Sequence, residues 1–247
     1  MTGIDAKAGN DVLAMARAVL LDMDGTLVQS EAVHRQCWQL FFDSWGVDVA
    51  DTEYEELFMG RRPSDVIVEV AGPWSGSDVA SAVGIMTEHA VRLVGSVPVV
   101  PGARDLLRRL HGLGIPIAVV TSAGAVWAER ILTDVLGVRH LVDVVISAEA
   151  VADGKPSPEG YLKACSSLRV PPEKCVAFED SPSGVRALIA AGVRDVVGVT
   201  TTTAGAELMR VGARWALPDL LPDRVLSALG QEQHQLHPSH DQEVEAP

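Results

Sequence analysis

Three times along this chain a short apolar run stops abruptly at polar residues. Ala18 to Leu21 runs into Asp22 and Asp24, Ile117 to Val120 into Thr121 and Ser122, and Val176 to Phe178 into Glu179 and Asp180. Buried strands followed by helical segments imply a parallel sheet with helices on both faces. The polar residues then collect at the carboxyl edge of that sheet, where open α/β sheets bind ligands. The pattern predicts strands near 18–22, 115–120, 142–147, 174–178, 195–199 and 214–217, and helices near 102–112, 124–136, 158–168 and 182–191. Between the first acids and Pro101–Gly102 there is no strand signal. That segment predicts helices near 31–45, 51–58, 63–71 and 77–94, the first with an apolar face of Val33, Cys37, Leu40 and Phe41.

Each polar patch admits two readings. Asp22-Met23-Asp24-Gly25 could be a plain turn. Paired carboxylates can also divide labour, one attacking or holding a metal and the other moving a proton. Thr121 and Ser122 suit a phosphate oxygen ahead of a helix start, although Ser122 could equally cap that helix. Lys155, stiffened by Pro156 and Pro158, could offset a carboxylate pair or could be a solvated loop lysine. Glu179 and Asp180 could bind a cation or favour the dipole of a helix capped by Ser181, with Pro182 at its first position. The recurrence of one layout at three strand ends favours the functional side of each pair.

In this order the patches resemble the haloacid dehalogenase superfamily, in its phosphatase and phosphomutase branch, from about Val19 to Leu217. The resemblance implies a doubly wound, Rossmann-like parallel α/β sheet at 18–29 and 97–228, with an inserted α-helical cap at 30–96. It implies Asp22 as nucleophile, Asp24 as acid/base, Thr121 and Ser122 as phosphate-binding hydroxyls and Lys155 as the motif lysine. It further implies Mg2+ on Asp22, the main-chain carbonyl of Asp24 and Asp180, with Glu179 as a ligand or outer support. The dehalogenases of the superfamily lack the second aspartate, so Asp24 argues against dehalogenation. Hinges for the cap fall near Val28–Ser30 and Ser96–Pro101.

Substrate specificity is expected from the cap. His34 and Trp38 lie one helical turn apart, matching a His and a Trp of the sugar-phosphate mutases; Trp38 could also simply fill the cap core. Gly60-Arg61-Arg62-Pro63 offers two arginines that could hold hydroxyls or a second phosphate, or be solvated. The reading that results is a magnesium-dependent phosphatase of a small phosphorylated metabolite, a sugar or polyol phosphate. A β-phosphoglucomutase-like phosphomutase shares every core residue, but Pro63 stands where the mutase loop has an arginine, and the later cap helix offers His89 and Arg92 without a lysine. A catalytically dead binding module would have lost a motif acid, and none is missing.

Composition agrees. A formal net charge of −13 disfavours nucleic acid and anionic membrane as partners. An anionic substrate must therefore be drawn in by a local cation. Cys37, Cys165 and Cys175 show no metal-ligand spacing and read as core filler. No signal-like apolar core or bilayer-length span is evident, which points to a cytoplasmic protein, a monomer or weak homodimer. Residues 1–17 and 229–247 read as polar tails, the second with surface histidines His234, His237 and His240.

Overall fold

Strand β1, Ala18–Leu21, has no exposed side chain. It pairs in parallel with β2, Ile117–Val120, on one side and β4, Cys175–Glu179, on the other. With β3 (Val144–Ile146), β5 (Asp195–Val199) and β6 (Trp215–Leu217) they form a six-stranded sheet in the order β3-β2-β1-β4-β5-β6. All pairings between these strands are parallel. The chain reverses its direction of travel between β1 and β4, which places the topological switch point at the ends of those two strands. The structure, a computed structural model, describes residues 16–59 and 61–230. The histidines of the carboxyl tail and Gly60 lie outside the described residues.

Alternation along the strands feeds two cores. Val19, Leu21, Val119 and Phe178 face helices α5 (Ala103–Gly112), α6 (Ala125–Arg130) and α10 (Pro222–Gly230). Leu20, Val120 and Ala177 face α7 (Glu159–Leu168), α8 (Pro182–Ala191) and α9 (Gly205–Arg210). Ser181 caps α8 by accepting from the Gly184 N–H, with Pro182 at the first position and Gly192 ending the helix in the left-handed conformation. Three elements differ from the sequence expectation. The helix expected to run to 136 becomes a π-turn at Ile131–Val135. Helices α9 and α10 had no clear periodic signal, and α10 runs to Gly230 with Leu229 fully buried, just past the boundary read from composition. All three cysteines are buried and reduced.

The inserted segment forms four helices, α1 (Glu31–Trp45), α2 (Asp51–Leu57), α3 (Pro63–Glu69) and α4 (Val79–Leu93). An aromatic cluster of Trp38, Phe41, Phe42, Phe58 and Trp74 packs α1 against the segments that follow α2 and α3. The two linkers of this cap run side by side. Gln29 N–H donates to Pro98 O at 2.8 Å, Val100 N–H donates to Leu27 O at 3.0 Å, and Val28 bridges both Val99 and Asp24. No helix among the described residues is long and apolar enough to cross a membrane.

Candidate active site

Asp22, Glu179 and Asp180 converge where β1 and β4 end, with carboxylate oxygens of all three within 4.8 Å of one another. All three are buried. One cation faces them: Lys155 Nζ lies 2.5 Å from Asp22 Oδ1 and 2.8 Å from Glu179 Oε2. Burial works against the charge on Lys155, but Asp22 and Glu179 outweigh it and hold the ammonium protonated. Glu179 is saturated. Its Oε2 also accepts from the Tyr161 hydroxyl at 2.6 Å, and its Oε1 accepts from Ser181 Oγ at 2.7 Å. Burial, then Glu179, pushes the Asp180 carboxyl up to about 7. The same two causes raise Asp22 well above the usual carboxylate range, against the opposing pull of Lys155.

The cluster is thus short of positive charge, and Asp22 Oδ2 is buried without a hydrogen-bond partner. Hard oxygen donors around an undonated carboxylate oxygen fit a divalent cation such as Mg2+. Two glycines make room for the acids. A Cβ on Gly25, whose φ is +93°, would lie 2.0 Å from Asp180 Oδ2, and one on Gly184 would lie 2.0 Å from the Glu179 carboxyl. Asp180 is further fixed by Thr26 Oγ1 at 3.1 Å and by the Thr202 hydroxyl.

Asp24 is held apart from this cluster by its own donors. Its Oδ1 accepts from Ser30 Oγ at 2.5 Å and from Trp127 Nε1 at 2.9 Å, and His34 Nε2 lies 3.7 Å away. Its Oδ2 accepts from Thr121 Oγ1 at 3.2 Å. Ser122 lines the same cavity but does not cap α6. The N-cap is Gly124, and the Glu149 carboxylate accepts from the Ala125 N–H at 3.0 Å. Seven expected residues therefore meet at one sheet edge: Asp22, Asp24, Thr121, Ser122, Lys155, Glu179 and Asp180.

The cap helices and these residues together line one cavity of about 1250 Å3. His34 lies near Asp24, with Nε2 3.7 Å from Oδ1 and beyond hydrogen-bond distance. Trp38 also lines the cavity, but its ring stacks on Phe42 inside the aromatic cluster and is 3% exposed. The arginines have partners of their own. Arg61 pairs with Glu69 and donates to Leu57 O at 3.1 Å. Arg62 donates to Asp65 Oδ2 at 2.8 Å and reaches across to the core carbonyls of Ala148, Val151 and Ala152 at 3.2, 3.4 and 3.1 Å. In this arrangement Arg62 ties cap to core.

Sequence reasoning missed Trp127, Tyr161, Ser30 and Thr202. A tyrosine among the apolar positions of α7 needs a hydroxyl partner, and Tyr161 could have been flagged on that ground. The others carry no local signal.

The sequence model of the haloacid dehalogenase-like hydrolase family matches residues 16–192. The validoxylamine A 7'-phosphate phosphatase of Streptomyces hygroscopicus subsp. limoneus is 37% identical over 189 residues, 76% of this chain and 87% of that protein. The hexitol phosphatase B of Escherichia coli K12 is 30% identical over 184 residues, 73% of this chain and 82% of that protein. Among solved structures, a mutant of CbbY from Rhodobacter sphaeroides in complex with xylulose-(1,5)bisphosphate superposes with a TM-score of 0.75 at 31% identity, covering 84% of this chain and 96% of that one.

Proposed function

This chain belongs to the haloacid dehalogenase-like hydrolase family, and from that premise we propose that it is a Mg2+-dependent phosphatase of a small sugar or polyol phosphate. One observation carries the reading: two acids two residues apart occupy separate environments. Asp22 faces Lys155 and the acid cluster with one oxygen undonated. Asp24 faces Ser30, Trp127 and Thr121. Titratable groups set apart in this way take different roles in one reaction.

A carboxylate oxygen of Asp22 attacks phosphorus, and the ester P–O bond breaks. Asp24 gives its proton to the leaving alkoxide. Asp24 then takes a proton from water, whose oxygen displaces Asp22 from the aspartyl-phosphate and releases phosphate. Lys155 opposes negative charge on the phosphoryl oxygens, and the hydroxyls of Thr121 and Ser122 orient them. Asp22, Asp180 and the main-chain carbonyl of Asp24 would hold Mg2+, which supplies positive charge beside the phosphoryl group when bound. Glu179, already saturated, orients Lys155. Closure of the cap on substrate would shut bulk water out of the reacting site.

The relatives named as phosphatases support hydrolysis of a phosphorylated small molecule. The test is a panel of sugar and polyol phosphates with Mg2+, following both free phosphate and isomerised product. Free phosphate without isomer is expected. Accumulating isomer would make the protein a phosphomutase, and no turnover across the panel and on an aryl phosphate would make it a binding module.

A further inference from the structure

Trp127 sits on the first turn of α6 and is 3% exposed. A buried indole N–H needs an acceptor. Here it is Asp24 Oδ1, at 2.9 Å, from a residue 103 positions away in sequence. That same oxygen takes the Ser30 hydroxyl at 2.5 Å. The other oxygen, Oδ2, meets the Thr121 hydroxyl at 3.2 Å. The His34 ring rests against the Trp127 indole with centroids 5.4 Å apart, so the indole is gripped by a cap residue as well.

We propose that Trp127 is a positioning residue for the acid/base, fixing the rotation of the Asp24 carboxylate so that Oδ2 carries the transferred proton. This rests on the reading of Asp24 as acid/base given above. Two donors occupy both lone-pair directions of Oδ1 and leave it no room for a proton. Oδ2, with one longer contact, is left to donate to the departing alkoxide and to accept from water. Without the indole N–H, the carboxylate keeps its chemistry but loses a fixed orientation.

The test compares Trp127→Phe with wild type on a hexitol phosphate and on para-nitrophenyl phosphate. Removing one charge-assisted hydrogen bond should lower kcat on the hexitol phosphate roughly tenfold or more. KM should stay within about twofold, since the indole is 3% exposed and offers substrate little surface. The burst of nitrophenol, which reports the first phosphoryl transfer to a leaving group needing little acid help, should be nearly unchanged. In an Asp24→Asn background the same change should cost nothing further. Should the phenylalanine variant fail to fold, 3-benzothienylalanine at position 127 keeps the indole shape and removes only the N–H.

A nitrophenol burst slowed as much as hexitol phosphate turnover, or the same loss in the Asp24→Asn background, would mean that Trp127 only supports the fold. No change on either substrate would likewise overturn the assignment. A wild-type protein inactive on every phosphate monoester would instead overturn the functional reading itself, and this proposal with it.

Discussion

At the scale of the residue, the site is a problem in charge. Three buried carboxylates share one ammonium. Asp22→Asn removes the reacting oxygen and one of the repelling charges together. Turnover should fall by roughly four orders of magnitude or more, while thermal unfolding stays at or above the wild-type midpoint. Phosphate release and a melting curve on the same preparation check both halves, and near-normal turnover in the folded variant would sink covalent catalysis. Gly25 poses a different constraint. Its φ of +93° disfavours any side chain, and a Cβ would enter the Asp180 carboxyl at 2.0 Å. Gly25→Ala should therefore destabilise the fold by about 1–3 kcal/mol and displace Asp180. Denaturant midpoints measure the first effect, and a lost Mg2+ response in melting measures the second.

At the scale of the element, Arg62 is the informative case. From the start of α3 it holds three main-chain carbonyls of the segment that leads to Lys155. If this contact keeps the cap seated, Arg62→Ala should speed hydrogen exchange of cap amides about tenfold even without substrate. Unchanged exchange in the substrate-free protein, with protection lost only when a sugar phosphate is added, would return Arg62 to the substrate-reading role expected from sequence. Helix α10 offers a simpler test of packing. Leu229 is fully buried, so Leu229→Ala should cost about 2–5 kcal/mol, read from urea unfolding.

Legibility also divides by element. The strands bearing Asp22, Thr121 and Glu179 could be read because an apolar run ending in polar residues is a local pattern. Helix α9 could not, since Gly205–Arg210 is too short to show a period. Core motif residues were recognisable by type and order. The Thr121 and Trp127 partners of Asp24 and the carbonyls held by Arg62 were not, because each of those contacts is made across more than eighty residues of chain. Arg61 and Arg62 line the cavity and also engage carboxylates and carbonyls, partners that no spacing rule foretells.

At the scale of the whole molecule, a chain of net charge −13 presents its acidic cluster to an anionic substrate. A cation that binds the folded site and not the unfolded chain must raise stability by mass action. Mg2+ at a hundredfold excess over its dissociation constant should add about 2.7 kcal/mol, visible as a shift in melting that Asp180→Ala abolishes. A strong chelator should stop catalysis and Mg2+ restore it. Calcium, which prefers more ligands at longer distances, should stabilise the fold without restoring rate. The paired linkers of the cap add one more property. Val28 joins Asp24 on one side and Val99 on the other, and Ser30, at the mouth of the cap, holds the Asp24 carboxylate. The hinge and the proton carrier are thus parts of one mechanical linkage. On the proposed reading, a cap swung open would draw Ser30 and His34 away from Asp24 and leave the phosphorylated enzyme disarmed toward stray water. Such an arrangement would work as a safety interlock, in which the machine cannot fire until its door is shut.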